Sequence, residues 1–338
     1  MKFVQWSLGL VLAMSLPLIS CASAQETRLF FTSMSPANSE NSKFFNQWAR
    51  QVEADAKGGA VIDVKDGVST LGTLQNIVER VETDVAQIGW TVHAFYRGRF
   101  PLSEVAGLPF VADESELASV AMWRLWKTGL LDPEYKNIVP LWFGRSGNTY
   151  LHFRKQPASI EEIKGAKVRV GGEADVIMAN ALGLSPQSIR SQDVYLALQR
   201  DTIDGTFMTF AGFPPYKLQE VTSYHFLAPL GSTTFVHFMS RKKFDGLPAA
   251  VRQAIEANSG EVGSRRWGRF LDDIVAKTQN ELSQSRDHTM AKPTPQQMQD
   301  WATRVGQPVV EKWLKDNPSG ARVLESYKKI YAEVKAGK

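Results

Sequence analysis

The chain is 338 residues long, 43% of them hydrophobic and 22% charged, with a formal net charge of +4. This is globular composition, which excludes a disordered or fibrous chain and leaves room for two folding units of moderate size. The charges are spread without a long block of one sign, so there is no electrostatic footprint for nucleic acid.

The N-terminus carries an export signal. Lys2 supplies the positive end, Leu8 to Ile19 is an apolar core, and Ala22-Ser23-Ala24 is a small-residue cleavage site. The apolar run is short of the roughly 20 residues that a membrane span needs, and no other stretch reaches that length. Cys21 is the only cysteine and lies in this leader. Leu18-Ile19-Ser20-Cys21 also resembles a lipobox, which would make Cys21 a lipid anchor. Either way the mature chain has no disulfide, no thiol nucleophile and no cysteine metal site.

Arg28–Thr32 reads as a buried strand, and a helix follows with Phe44, Phe45, Trp48 and Val52 on one face. Ala60–Val64 is a second strand, Leu71–Val81 a second helix, and Val85–Gly89 a third strand. This alternation is the signature of a parallel α/β sheet. It then recurs. Ile138–Phe143, Thr149–Phe153 and Lys167–Val170 read as strands, Ala174–Leu182 and Val194–Arg200 as helices, and Gly205–Met208 and Phe235–Ser240 as further strands. A long helical pattern runs from Pro248 to about Leu282, and two helices close the chain near Pro295–Leu314 and Ser319–Val334. Two α/β units joined by several crossings make a cleft, and ligands of such sheets bind beyond the carboxyl ends of the strands.

Four segments resemble the DctP-like substrate-binding proteins of TRAP transporters. They are Leu71-Gly72 with Asp84-Val85-Ala86-Gln87-Ile88-Gly89; Leu108-Pro109-Phe110; Ile160 to Val170 (IEEIKGAKVRV); and Asp193 to Gln199 (DVYLALQ) through Ile203-Asp204-Gly205. The last two are the specific ones, because their order and spacing also agree. The resemblance implies a two-lobed periplasmic-binding-protein fold of α/β class with an interlobe cleft and a long hinge-spanning helix. It implies an organic acid ligand, membrane subunits driven by an ion gradient as partners, and a periplasmic location. The expected lobes are residues 25–148 with 236–282, and residues 149–235 with 283–338, after a leader of residues 1–24. Membrane contact is expected only through the transporter or an anchor at Cys21.

Arg169 is the leading site residue. In its strand it points away from Val168 and Val170, and a guanidinium offers a planar fork that matches a carboxylate. The resemblance gives it the ligand carboxylate; the alternative is a structural partner. The family's second arginine position falls on Thr149, which offers one neutral hydroxyl. Arg145 and Arg154 are the shifted cations nearby. This favours a monocarboxylate. After Asp204-Gly205 come Phe207 and Phe210, an apolar wall with no carboxylate for a metal, so no metal or other cofactor is expected. Trp90 and, less so, Phe95 and Tyr96 are further aromatic candidates, and Met34 and Ser35 follow the first strand. Gly171-Gly172 lets backbone approach a ligand closely. Histidines 93, 152, 225, 237 and 288 lack metal-ligand spacing, with His152 and His237 read as satisfied inside strands. Two other classes stay open: an exported enzyme with Asp204 or Asp193 as base, for which no acid–base pair stands at recognisable spacing, and a sensory protein that presents its ligand to a receptor.

Overall fold

The computed structural model describes residues 26–67, 76–96 and 98–338. The leader, Cys21 and residues 71–75 of the expected Leu71–Val81 helix lie outside them. The strands are β1 (Thr27–Ser33), β2 (Ala60–Asp66), β3 (Ile88–Val92), β4 (Ile138–Arg145), β5 (Thr149–Phe153), β6 (Lys167–Val170), β7 (Ser185–Ser188), β8 (Gly205–Thr209), β9 (Tyr224–Phe226), β10 (Thr234–Ser240) and β11 (Thr289–Ala291). The helices are α1 (Glu40–Asp55), α2 (Ile77–Glu82), α3 (Ser115–Lys127), α4 (Glu173–Ala181), α5 (Val194–Gln199), α6 (Phe213–Tyr216), α7 (Arg241–Asp245), α8 (Ala249–Ala257), α9 (Gly260–Gln284), α10 (Pro295–Trp301), α11 (Gln307–Asp316) and α12 (Gly320–Lys335).

Two sheets form, ordered β2-β1-β3-β10-β4 and β11-β9-β5-β8-β6-β7. Each contains the parallel strands that the alternation predicts, β1 with β2 and β3 in one, β6 with β7 and β8 in the other. Both sheets are nevertheless mixed. β10 runs antiparallel to β3 and β4, and β5 antiparallel to β8 and β9. The cause is the crossing. β4 runs toward the second unit and ends at Arg145; the chain leaves, and on its return β10 must run the opposite way. The two crossing segments are bonded to each other, Ser146 N–H to Thr233 O at 2.9 Å and Thr149 N–H to Gly231 O at 2.8 Å, with Leu230 N–H returning to Thr149 O at 3.0 Å.

α1 starts at Ser39, whose hydroxyl accepts from Ser42 N. It buries Phe45, Trp48, Ala49 and Val52 against the first sheet, in one core with Leu29, Phe31, Ile62 and Ile88. The long pattern after Pro248 is two helices. At the break, the Asn258 side-chain amide donates to Ala254 O at 2.9 Å and to Asp55 Oδ2 at 2.7 Å, which ends α8. α9 is 25 residues long. It packs on α3 and β4 of the first unit and reaches the turn at 210–212 and β11 of the second. It comes close enough to α3 that a Cβ on Gly268 would sit 2.5 Å from Glu116 Cα.

The C-terminal segment is shared between the units, unlike the expected assignment of residues 283–338 to the second lobe. β11 joins the second sheet and α11 packs on α4, but α12 lies against α3. Its buried face of Val323, Leu324, Tyr327, Tyr331 and Val334 joins one core with Ala118, Val120, Met122 and Leu125. That stripe had to be covered, and α3 offers the matching apolar surface.

Candidate functional site

Arg169 lies in the four-residue β6, between β7 and β8, and faces Thr206 across the parallel pair. The residue is 8% exposed. Nε donates to Ile189 O at 2.9 Å, Nη1 to Phe207 O at 3.0 Å and Nη2 to Ser191 Oγ at 3.0 Å. A guanidinium has five N–H groups. These three bonds leave one N–H on each terminal nitrogen, the pair that can grip both oxygens of a carboxylate. All three partners are neutral, and Arg169 forms no direct ion pair among the described residues. Burial pulls its proton affinity below the ordinary value, while Asp175 and Tyr216 act the other way. A Cβ on Gly171 would lie 3.1 Å from Nη1 and 3.2 Å from Nη2, so any larger residue would crowd the guanidinium in its seat.

The other arginines differ. Arg145, at the end of β4, is fully enclosed. Nε donates to Ala106 O, Nη1 to Ser146 O, and Nη2 to Ala112 O and the Asn148 side-chain oxygen. It ties the 106–112 loop to the crossing, and four of its five donors are used within the chain. Arg154 pairs with Asp201 at the far end of β5. Thr149, at the near end of β5, is half-buried opposite Thr209, and its hydroxyl has no hydrogen-bond partner among the described residues.

The apolar candidates divide. The Phe207 ring is fully buried with Leu151, Val168 and Phe226, and only its carbonyl reaches Arg169. Phe210 is fully buried against Tyr150, His152 and Phe213 at ring distances of 5.3, 4.9 and 5.0 Å. Phe207 is enclosed because β8 is a central strand, covered on both faces; Phe210, in the turn after β8, is enclosed by the cluster of Val194, Leu198 and Phe213. Trp90 in β3 keeps 9% exposure. It stacks on Phe235 at 5.7 Å and touches Phe45 at 5.6 Å, and its indole N–H is buried without an acceptor among the described residues. Met34, just after β1, is half-buried against both cores. Half-buried Phe44, Phe235 and Phe270 complete this aromatic side of the first unit. Sequence reading missed those three; Phe235 alone carried a signal, sharing the strand face of His237.

The histidines form two features. His152 Nδ1 meets His225 Nδ1 at 2.9 Å, and His225 Nε2 meets His288 Nδ1 at 3.0 Å. His152 Nε2 lies 3.1 Å from Met208 O. A carbonyl only accepts, so His152 Nε2 carries the proton. His225 must then donate from Nδ1 and His288 from its own Nδ1. Burial lowers His152 to about 3 and His225 to about 2, which keeps the chain neutral. His237 differs from expectation: it is fully buried, stacked on Trp142 at 4.1 Å, and neither ring nitrogen has a hydrogen-bond partner among the described residues. Two surface hollows, of about 560 Å³ beside Arg154 and His288 and about 380 Å³ beside Arg241, lie away from Arg169.

Two mixed α/β units, joined by bonded crossings and a bridging helix, with a strand arginine holding a spare two-point fork, define a two-lobed solute-binding protein. The chain belongs to family 7 of the bacterial extracellular solute-binding proteins, the DctP family, whose profile matches residues 31–316. It is 23% identical over 329 residues to the outer membrane transporter protein TsaT of Comamonas testosteroni, spanning 93% of this chain and 94% of that one. It superposes with a TM-score of 0.81 on a marine-metagenome TRAP solute-binding protein specific for aromatic acid ligands, in complex with 3-hydroxybenzoate (23% identity, 91% of this chain, 98% of that one). The TM-score is also 0.81 for a TRAP solute-binding protein from Rhodoferax ferrireducens T118 in complex with copurified benzoate (24% identity, 92% of this chain, 100% of that one). These likenesses show the fold.

Proposed function

We propose that this protein captures an organic monocarboxylate with an aromatic or branched apolar body outside the cytoplasmic membrane and delivers it to the membrane subunits of a TRAP-type transporter. The observation that carries the reading is the Arg169 fork, three donors spent on neutral partners and one left on each terminal nitrogen. A buried cation with no direct ion-pair partner among the described residues, in a family of solute receptors, is a site for an anionic ligand. Arg145 is spent on backbone carbonyls and Arg154 on Asp201, which supports one carboxylate instead of two. Trp90, with Met34 and Phe235 beside it, supplies an aromatic surface for the ligand body. Thr149 adds a hydroxyl at the crossing; Phe207 and Phe210 act as core supports, with the Phe207 carbonyl orienting Arg169. Two similar structures hold 3-hydroxybenzoate and benzoate, which agrees with that ligand class.

In this reading the protein binds and does not transform its ligand, without metal. Residues 1–24 direct export, and the mature chain is periplasmic and soluble; metabolic labelling with a fatty acid would reveal the anchored form at Cys21 instead. The test is a thermal-shift screen of the purified protein against aromatic, branched and dicarboxylic acids. Ligand that binds only the folded state raises the melting temperature. Aromatic monocarboxylates are expected to give the largest rise. A rise with dicarboxylates alone, or recovery of altered ligand after long incubation, refutes the reading.

A further inference from the structure

Asp175, in the first turn of α4, stands behind Arg169. Its Oδ2 accepts the Gly171 amide at 2.7 Å. That bond fixes the bend after β6, with Gly171 set so close to the guanidinium that a Cβ there would crowd it. The carboxylate also attracts Arg169 through space, with no direct ion pair between them among the described residues. Other charges lie near α4. Glu173 faces Lys312 of α11 at 3.5 Å and is felt through space by Glu104, and Arg304 of the turn before α11 pairs with Asp300. Tyr216 of α6 acts on Arg169, and β7 brings no charged group.

We propose that Asp175 is a specificity-determining positioning residue: a fixed negative charge behind Arg169 that holds the guanidinium by way of Gly171 and weakens its grip on any bare carboxylate. This rests on the carboxylate-binding reading above. A ligand carboxylate entering in front of Arg169 must share that cation with Asp175. Small anions with no body then bind poorly, and affinity is decided by contact of the ligand body with the Trp90 wall. The same competition links binding to protons. The incoming anion favours the protonated form of Asp175, whose proton affinity is already raised by burial and held back by Gly171 and Arg169. Affinity in the wild type therefore rises as pH falls toward the titration of Asp175.

Titration calorimetry with benzoate and with acetate tests this, from about pH 8 to about pH 5. Asp175→Asn keeps an acceptor for Gly171 and removes the charge. It is expected to bind both acids roughly three- to tenfold more tightly and to lose the rise toward low pH. Asp175→Glu is expected to keep the rise. Gly171→Ala, which pushes a methyl group into the guanidinium, is expected to weaken both acids. A purely structural Asp175 would give weaker binding in the Asn variant and no change in pH profile, which overturns the inference. A flat wild-type profile overturns it without any variant. Binding of neither acid by the wild type would remove the carboxylate reading itself, and the inference with it.

Discussion

Asp272 of α9 caps the start of α3: its Oδ1 accepts from Ser115 N at 2.9 Å, and its Oδ2 accepts from Glu116 N at 2.8 Å. The residue before α3, Glu114, makes no side-chain cap of its own. The bridging helix thus supplies from a distance what a local Ser or Asp usually supplies. Glu116 is tied back to α9 by Arg265 and Arg269, at 2.9 Å each. Asp272→Ala is expected to cost about 1–2 kcal/mol in urea unfolding. Arg269→Ala, on an exposed pair, should cost well under 1 kcal/mol. Equal losses would show that the cap carries no special weight.

Arg169→Ala should weaken binding of an aromatic acid by on the order of 1.5–3 kcal/mol, about ten- to a hundredfold, in calorimetry. Its chain should still unfold cooperatively, because the bonds lost inside the protein are to two carbonyls and a hydroxyl that water can reach through the emptied space. Unchanged affinity would remove Arg169 from the site.

Trp90→Ala is expected to lower affinity for benzoate by about 1–2 kcal/mol and leave that for acetate almost unchanged, since only the ring loses its stacking partner. A loss that is equal for both acids would mean a general distortion of the first unit.

Arg145 and Arg154 should separate cleanly. Arg145→Met leaves the Ala106 and Ala112 carbonyls unsatisfied inside the protein, and a loss on the order of 3 kcal/mol or more is expected. Arg154→Ala removes an ion pair whose Asp201 partner is 70% exposed, with a loss of at most about 1 kcal/mol. Thermal and urea unfolding would measure both.

Stability should depend on pH in two parts. Burial lowers His93 and His152 from 6.5 to about 3, and His225 to about 2. The unfolded chain binds more protons at these sites below pH 6.5, so their contribution is lost as pH falls from there toward 3. Burial raises Glu104 and Glu134 from 4.5 to about 7. There the folded chain binds more protons between 4.5 and 7, so that contribution is lost as pH rises through this window. The two oppose each other between pH 4.5 and 6.5. Below 4.5 the histidines are joined by Glu116, Glu261 and Asp300, whose carboxyls Arg269, Arg124 and Arg304 hold below the ordinary range, and melting temperature should fall steeply. A shallow, even decline from pH 7 to pH 3 would contradict the buried neutral histidines.

The sequence by itself determined the α/β class, because strand and helix periodicities alternate along the chain. It located nearly every long element: Thr149–Phe153 and Lys167–Val170 match β5 and β6 residue for residue. It also singled out Arg169 as a site candidate, through the resemblance of Ile160–Val170 to the family's strand; the charge between Val168 and Val170 by itself left a structural role open. The short strands β7, β9 and β11 and the helix α3 passed unnoticed; Ser185–Ser188 becomes a strand only because β6 offers an open edge. Tertiary structure alone decided the rest. The direction of β10 follows from the return crossing, and the place of α12 from the apolar face of α3. The fates of the aromatic rings follow from what packs on them, not from strand order: Phe207 and Phe210 are fully enclosed, while Trp90, in the middle strand of its sheet, keeps 9% exposure. The partners of each arginine are carbonyls distant in sequence, Ala106 and Ala112 for Arg145, Ile189 and Phe207 for Arg169. Every residue carries such a carbonyl, so no pattern of side chains marks it, and only the folded backbone shows which ones converge.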